Sequence, residues 1–267
     1  MYHCLHKCDL LEGDYLIDSH CHFDFEVFDQ ERENCWHHCL AAGVRRLLIP
    51  GVEPAQWSKA YDIVTEYTGI VMSAGLHPWW IHQASLPDLS YWHDTLNQEY
   101  CVAVGECGLD AMIGISLDQQ QYIFTQHLLM ALEHDLPIII HVRRAHNALL
   151  QLLKRYPLPR GGVIHGFTGS YELAMRYWNM GFYIGVGGSI TYDRAAKTRA
   201  AIRAMPLEAL VLETDAPDMP LKGYQGQANS PLHLVGIAKA LAALRHQNLS
   251  HIVQQTTKNT EQLFSLC

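Results

Sequence analysis

Pro137-Ile138-Ile139-Ile140-His141, then a helix-like stretch over 145–155, then Gly162-Val163-Ile164-His165: this segment decides the fold. Its two apolar runs are too short for helices and lack the polar alternation of a half-exposed strand. Strands buried on both faces read this way, and such strands form parallel sheets covered by helices. Between them Leu149, Leu150, Leu152 and Leu153 recur at helical spacing, and Pro157 punctuates the return. The segment reads as a strand–helix–strand unit, and each of its strands leads into a histidine.

The same kind of run recurs on both sides. Before it come Tyr15-Leu16-Ile17, Arg46-Leu47-Leu48-Ile49, Ile70-Val71-Met72-Ser73-Ala74 and Cys101-Val102-Ala103-Val104; after it come Phe182-Tyr183-Ile184-Gly185-Val186 and Leu210-Val211-Leu212. A further helix is predicted over 118–134, with Asp118 as N-cap and Tyr122, Leu129, Met130 and Leu132 as its apolar positions. Residues 230–265 read as a final helical region. No sequence repeat accompanies this rhythm. Eight strand-like runs alternating with helices in 267 residues predict an α/β fold of the (β/α)8 TIM-barrel type. Residues 15–267 form one domain in this reading, after an N-terminal extension over 1–14. A doubly wound open sheet is the alternative.

Composition narrows the function classes. Apolar residues at 49% and charged residues at 17% exclude a disordered chain. No apolar run approaches the roughly 18 residues of a membrane span, so no membrane partner is expected. No secretory signal is visible, and eight cysteines are too few for a disulfide scaffold. Reduced thiols, a cytoplasmic location and a monomer are expected. The net charge of −8 argues against bulk nucleic-acid binding. It leaves room for a phosphate substrate, because bound cations reverse the local field.

The chemistry-bearing residues follow the strands. The first run leads into Asp18-Ser19-His20-Cys21-His22, the fourth ends in Gly105-Glu106, the fifth in His141, the sixth in His165, and the eighth in Glu213-Thr214-Asp215. In a barrel these ends share one rim. Two imidazoles two residues apart fall on one side and can grip one cation. A single histidine at a strand end is commonly a hydrogen-bonded rim residue; six ligand-type residues on strand ends point to metal. Four imidazoles and two carboxylates suffice for two divalent ions if one carboxylate bridges them. Imidazoles suit Zn or Ni, and carboxylates also admit Mg or Mn. His37 and His38, within Cys35-Trp36-His37-His38-Cys39, read as a mixed helix face rather than a zinc site. His3, Cys4, His6 and Cys8 read as a terminal tail or as incidental metal capture.

His20-Cys21-His22-Phe23-Asp24, Gly75-Leu76-His77-Pro78, Gly105-Glu106-Cys107-Gly108-Leu109-Asp110, His141-Val142-Arg143, His165-Gly166-Phe167-Thr168-Gly169 and Leu212-Glu213-Thr214-Asp215-Ala216-Pro217 together resemble the TatD-type metal-dependent hydrolases. The resemblance runs from about residue 15 to 265 and implies that family's barrel. It implies one metal on His20, His22, Glu106 and Asp215 and a second on Glu106, His141 and His165, with Glu106 bridging. It implies metal-dependent deoxyribonuclease or exonuclease action on DNA; some relatives deacylate mischarged tRNA. Two loops depart from the common pattern. Lys222-Gly223-Tyr224-Gln225-Gly226-Gln227-Ala228-Asn229-Ser230-Pro231 carries neutral amides where a basic group is common, and looks like the YjjV-type branch. Ala111-Met112-Ile113-Gly114 lacks the aromatics of many relatives. Both departures touch substrate loops rather than the metal ligands.

The expected reaction is attack of a metal-activated water on phosphorus, or on a carbonyl carbon, since a divalent ion lowers a bound water's pKa from 15.7 toward about 7. Asp215 is the expected general base, unless it acts as ligand only. Glu213 reads as a proton relay or as a buried structural group. His77 is expected to donate to a substrate oxygen. Arg143 is expected to fork onto a phosphate or to form an outward salt bridge. Asp18 and Asp24 are expected to orient the imidazoles of His20 and His22. Trp79 and Trp80 either stack on a base or pack a loop; Asp110 either holds a loop or touches substrate. Gly185-Val186-Gly187-Gly188 lacks the spacing of a dinucleotide fingerprint, so no dinucleotide cofactor is expected. An acyl hydrolase cleaving an ester or amide, including aminoacyl-tRNA, is the alternative activity, and a metal-binding protein without turnover a third.

Overall fold

The computed structural model describes residues 10–81 and 88–266. The His3, Cys4, His6, Cys8 cluster lies outside them. The strands are β1 Leu16–Asp18, β2 Val44–Ile49, β3 Ile70–Ala74, β4 Cys101–Asp110, β5 Ile138–Arg143, β6 Gly162–Ile164, β7 Phe182–Val186 and β8 Leu210–Leu212. They form one sheet in chain order, and the paired strands are parallel. Helices α1 Arg32–Ala41, α2 Pro54–Glu66, α3 Leu89–Leu96, α4 Leu117–Glu133, α5 His146–Arg155, α6 Tyr171–Trp178 and α7 Ala196–Ala204 alternate with the strands, and α8 Leu234–Arg245 and α9 Leu249–Phe264 follow β8. This is the α/β, (β/α)8 order expected from the eight apolar runs. Among the described residues no helix is long and apolar enough to cross a membrane.

By contacts the chain divides into two compact units. One comprises the stretch ending at Leu48 together with Gly166–Ala174 and Gly185–Gln262. Within it β1 pairs with β2, Leu16 opposite Val44 and Asp18 opposite Leu47. Just past β1, the Ser19 N–H donates to Leu212 O at 3.0 Å, which joins the first strand's end to the last strand. Arg245 ties α8 to the turn before β8, its guanidinium donating to the carbonyls of Ile202, Arg203 and Met205.

The other unit comprises Ile49–His165, Met175–Ile184 and the stretch after Leu263. Most apolar residues of its strands β3 to β6 are buried, and Ile138, Ile139 and Ile140 are fully buried. Transfer of such side chains from water stabilises by about 1.5–3 kcal/mol each, so this strand cannot slip without exposing its apolar run.

Two expectations need correction here. Helix α4 is capped by Ser116, whose Oγ accepts the Gln119 N–H at 3.3 Å, and not by Asp118, which lies inside the first turn. Its buried residues are Gln120, Ile123, Phe124, His127, Leu128, Met130 and Ala131; of the expected apolar positions Met130 is buried, whereas Tyr122, Leu129 and Leu132 are exposed. The stripe keeps helical spacing but includes two polar residues with backbone partners. The C-terminal region expected to be helical is so, as α8 and α9, which part where His246 adopts a left-handed conformation at φ +54°.

Candidate metal centre

After β1 the chain turns through Ser19, His20, Cys21 and His22. The His22 N–H donates to Ala216 O at 2.8 Å and the Asp215 N–H to His20 O at 2.9 Å, so this turn and the turn after β8 hold each other. Nε2 of His20 and Nε2 of His22 each lie 3.6 Å from Oδ1 of Asp215. Phe25 stacks on the His22 ring at 4.7 Å. Asp215 sits at φ +57°, a left-handed backbone that L-residues occupy at some cost. The hydrogen bonds around it hold that conformation. Asp18, fully buried, accepts from the Thr214 N–H at 2.9 Å, the Thr214 hydroxyl at 2.5 Å and the His20 N–H at 3.3 Å. Burial pushes the Asp18 carboxyl up to about 8, against the Thr214 and His20 donors, which favour its charged form. On the other side of the turn Asn229 Nδ2 donates to Thr214 O at 2.9 Å. Asp24 is buried beside the same turn's sequence.

Glu213, fully buried, accepts the Gly166 N–H at 2.6 Å through Oε1. Room for its carboxylate comes from Gly185 on β7: a Cβ there would stand 2.4 Å from Glu213 Oε2. The Gly185–Gly188 stretch therefore accommodates a buried acid.

A second cluster is built on β4. The register against β5 runs from Val104 opposite Ile138 to Cys107 opposite Ile140, three steps against two. The extra residue is a β-bulge at Gly105-Glu106, a device that re-aims a side chain beside a site. Glu106 therefore lies within a strand that continues to Asp110, and not at its end as expected. Gly105 adopts φ +126°, and a Cβ there would stand 2.6 Å from Ile139 O, so glycine is required. Buried Glu106 points Oε1 at three imidazoles: His77 Nε2, His141 Nδ1 and His165 Nε2, each at 3.5 Å.

These separations discriminate between two chemistries. Hydrogen bonds between nitrogen and oxygen span about 2.7–3.2 Å, and the contacts in both clusters are longer. Ligands about 2.1 Å from a shared divalent ion stand about 3.4 Å apart in a tetrahedron. Each cluster's ligand atoms also lie within 4.8 Å of one another, for His20, His22 and Asp215 and for His77, Glu106 and His141. The donor sets fit divalent ions. His77, expected only as a substrate contact, thus shares the Glu106 cluster. Its signal was its place, three residues beyond the end of β3.

Asp110 supports the second cluster. Its Oδ2 lies 3.3 Å from His141 Nε2 and accepts the Trp79 Nε1–H at 2.9 Å, while Oδ1 accepts the Met112 N–H at 2.8 Å. Burial works to raise the Asp110 carboxyl, but the His141, Trp79 and Met112 donors hold it well below the usual carboxylate range. Burial likewise pulls the His141 imidazole down, and Asp110 and Glu106 outweigh it to leave it raised. Gln120 fixes this strand end, accepting from the Asp110 N–H and donating to Asp110 O. His127 accepts the Leu76 N–H at 2.8 Å and so holds the residue before His77. Neither Gln120 nor His127 was expected from sequence. Arg143 is exposed at the end of β5.

Comparison with known proteins shows the family. The family model described as TatD related DNase matches residues 17–265. An uncharacterized metal-dependent hydrolase of Escherichia coli K12, YjjV, is 41% identical over 254 residues, covering 94% of this chain and 98% of the relative. The 3'-5' ssDNA/RNA exonuclease TatD of Cronobacter sakazakii is 32% identical over 253 residues, covering 89% and 93%. The crystal structure of YjjV, a TatD homologue from E. coli K12, superposes with a TM-score of 0.90 at 40% identity, covering 94% of this chain and 98% of that one. With residues 17–265 matched by the family model and nearly its whole length matched by a relative of 41% identity, the chain belongs to the TatD family.

Proposed function

We propose that this chain is a metal-dependent hydrolase of phosphodiester bonds, acting on DNA as an exonuclease. The observation that carries the reading is the single carboxylate oxygen of Glu106 with three imidazole nitrogens at 3.5 Å. At 3.5 Å these contacts are longer than hydrogen bonds and close to the separation of ligands around one divalent ion, which supports a shared cation. In this reading His20, His22 and Asp215 hold one divalent ion, and Glu106, His141 and His165 hold another. Zn, Ni, Mn and Mg all remain compatible with such a mixed donor set. When bound, the ions lower the pKa of water and offset the charge of the phosphate. Asp215, the more exposed carboxylate of the two at 17% of its side chain, takes the proton of the attacking water. His77 orients a substrate oxygen, and exposed Arg143 forks onto a flanking phosphate. Asp18 and Glu213 hold the turns that carry the ligands. The choice of nucleic acid as substrate leans on the Cronobacter relative, whose name gives single-stranded DNA and RNA.

The test is a substrate panel run with Mg, Mn, Zn or Ni added to metal-stripped protein. Shortening of labelled single-stranded DNA from one end, abolished by Glu106→Ala, is expected. Ester or aminoacyl-tRNA cleavage without nucleolysis would replace the reading by an acyl hydrolase on the same ligands. Bound metal with no turnover of either class would leave a metal-binding protein.

A further inference from the structure

The two adjacent tryptophans after His77 behave differently. Trp80 turns inward, packing on the buried cluster of Leu76, Ile81 and Ile123. Trp79 stays 45% exposed. An exposed aromatic of this size is ordinarily free to change rotamer, but this one is held. Its indole N–H donates at 2.9 Å to Oδ2 of Asp110, a residue with no exposure of its own. Its ring meets His77 edge-on at 5.3 Å and His141 edge-on at 6.3 Å, and lies nearly parallel to Trp80. The same Asp110 oxygen faces His141. One buried carboxylate oxygen therefore positions both an imidazole of the Glu106 cluster and an open indole beside it.

We propose that Trp79 is a stacking platform for a nucleobase of a single-stranded substrate, fixed next to the Glu106 cluster by Asp110. This deepens the nuclease reading and rests on it for the identity of the ligand. Three considerations favour a base. Every nucleobase has a π-face, so a lone indole binds single strands without regard to sequence. A platform already immobilised loses little rotamer freedom on binding, which is what preorganisation contributes to affinity. The indole N–H is the edge that is tied down, so binding uses the ring's face rather than a hydrogen bond.

The experiment compares wild type, Trp79→Ala and Trp79→Phe on two single-stranded oligonucleotides. One carries ordinary bases and the other has tetrahydrofuran abasic residues at its terminal positions. Cleavage is read as kcat/KM, and binding by fluorescence anisotropy on phosphorothioate-linked versions that resist hydrolysis. Stacking by one aromatic predicts that Trp79→Ala lowers kcat/KM and affinity about 5- to 150-fold on the base-bearing strand, chiefly through KM. The same variant changes the abasic strand less than about two-fold, which also shows that the site is still folded. Trp79→Phe, keeping a ring, recovers most of the loss. An equal loss on both strands, or no loss on the base-bearing one, overturns the proposal. Trp79-dependent binding without cleavage by any variant sinks the nuclease reading and leaves the platform standing. Wild-type protein that neither binds nor cleaves either strand ends both.

Discussion

His127 lies fully buried in α4, and both its ring nitrogens are engaged. Nδ1 faces Ile123 O at 2.9 Å, an acceptor, and Nε2 accepts the Leu76 N–H at 2.8 Å. Only the neutral tautomer with its proton on Nδ1 satisfies both partners. A second proton would meet the Leu76 N–H head-on, on a fully buried nitrogen. Burial accordingly lowers the imidazole from 6.5 to about 4. The consequence for stability has a definite sign. Between about pH 6.5 and 4 the unfolded chain binds a proton here and the folded chain does not, so stability rises with pH in that window and falls as the solution is acidified. Each pH unit of difference is about 1.36 kcal/mol. Going from pH 7 to pH 5, His127 alone should remove about 2 kcal/mol. His127→Gln isolates this contribution, because its amide oxygen can accept from Leu76 and never titrates. Urea unfolding of metal-stripped wild type and variant, each at pH 7 and pH 5, measures it; the histidines common to both proteins cancel in the difference. Wild type should lose about 2 kcal/mol more than the variant across that step. Parallel losses would show that the His127 imidazole is not held neutral, and the account of how Leu76 and His77 are fixed would go with it.

Other outcomes follow from the same contacts. Glu106→Ala should lower bound divalent metal, read by elemental analysis after gel filtration, and reduce turnover at least 100-fold. It removes the oxygen on which three imidazoles converge. Gly185→Ala would place a methyl 2.4 Å from Glu213 Oε2; a lowered melting temperature and lower metal affinity are expected, whereas a variant indistinguishable from wild type in both would refute the packing argument. Thr214→Val takes two side-chain functions from the turn, the hydroxyl donor to Asp18 and the acceptor for the Ala216 N–H. Leaving a buried Asp18 oxygen and the Ala216 N–H without their partner costs about 1–3 kcal/mol, measurable by chemical denaturation at pH 7.

The candidate ligand residues were legible because metal chemistry restricts the residue types and parallel strands restrict the places. His20, His22, His141, His165 and Asp215 all fall on or just after apolar runs that could be read locally. Glu106 was expected at a strand end and lies inside a strand. The run before it looks finished at Gly105, yet the strand continues for five residues beyond the glycine, and the bulge that aims Glu106 exists only in the pairing with β5. Nothing in the order of residues reveals a register shift. The cap of α4 was misplaced for a local reason: Ser116 and Asp118 are both good caps, and only the geometry of the incoming loop chooses between them.

Helix α4 shows where local reading stops. A stripe chosen by hydrophobicity takes Tyr122, Leu129, Met130 and Leu132; only Met130 of these is buried, and Gln120 and His127 are buried as well. A polar side chain can displace an apolar one from a core only if its hydrogen-bonding groups find partners there. Those partners are distant or irregular: the Leu76 N–H, 51 residues from His127 in sequence, and the backbone of Asp110 and Ile115 for Gln120. Both partners belong to segments that carry the second cluster, one residue before His77 and at Asp110 itself. The two polar residues on this face are therefore tied to the site: they replace the fluctuations of two strand ends with fixed hydrogen bonds, and leave apolar residues of the same helix in water. A helix optimised only for burial would reverse that choice, and would lose the bonds that aim His77 and Asp110.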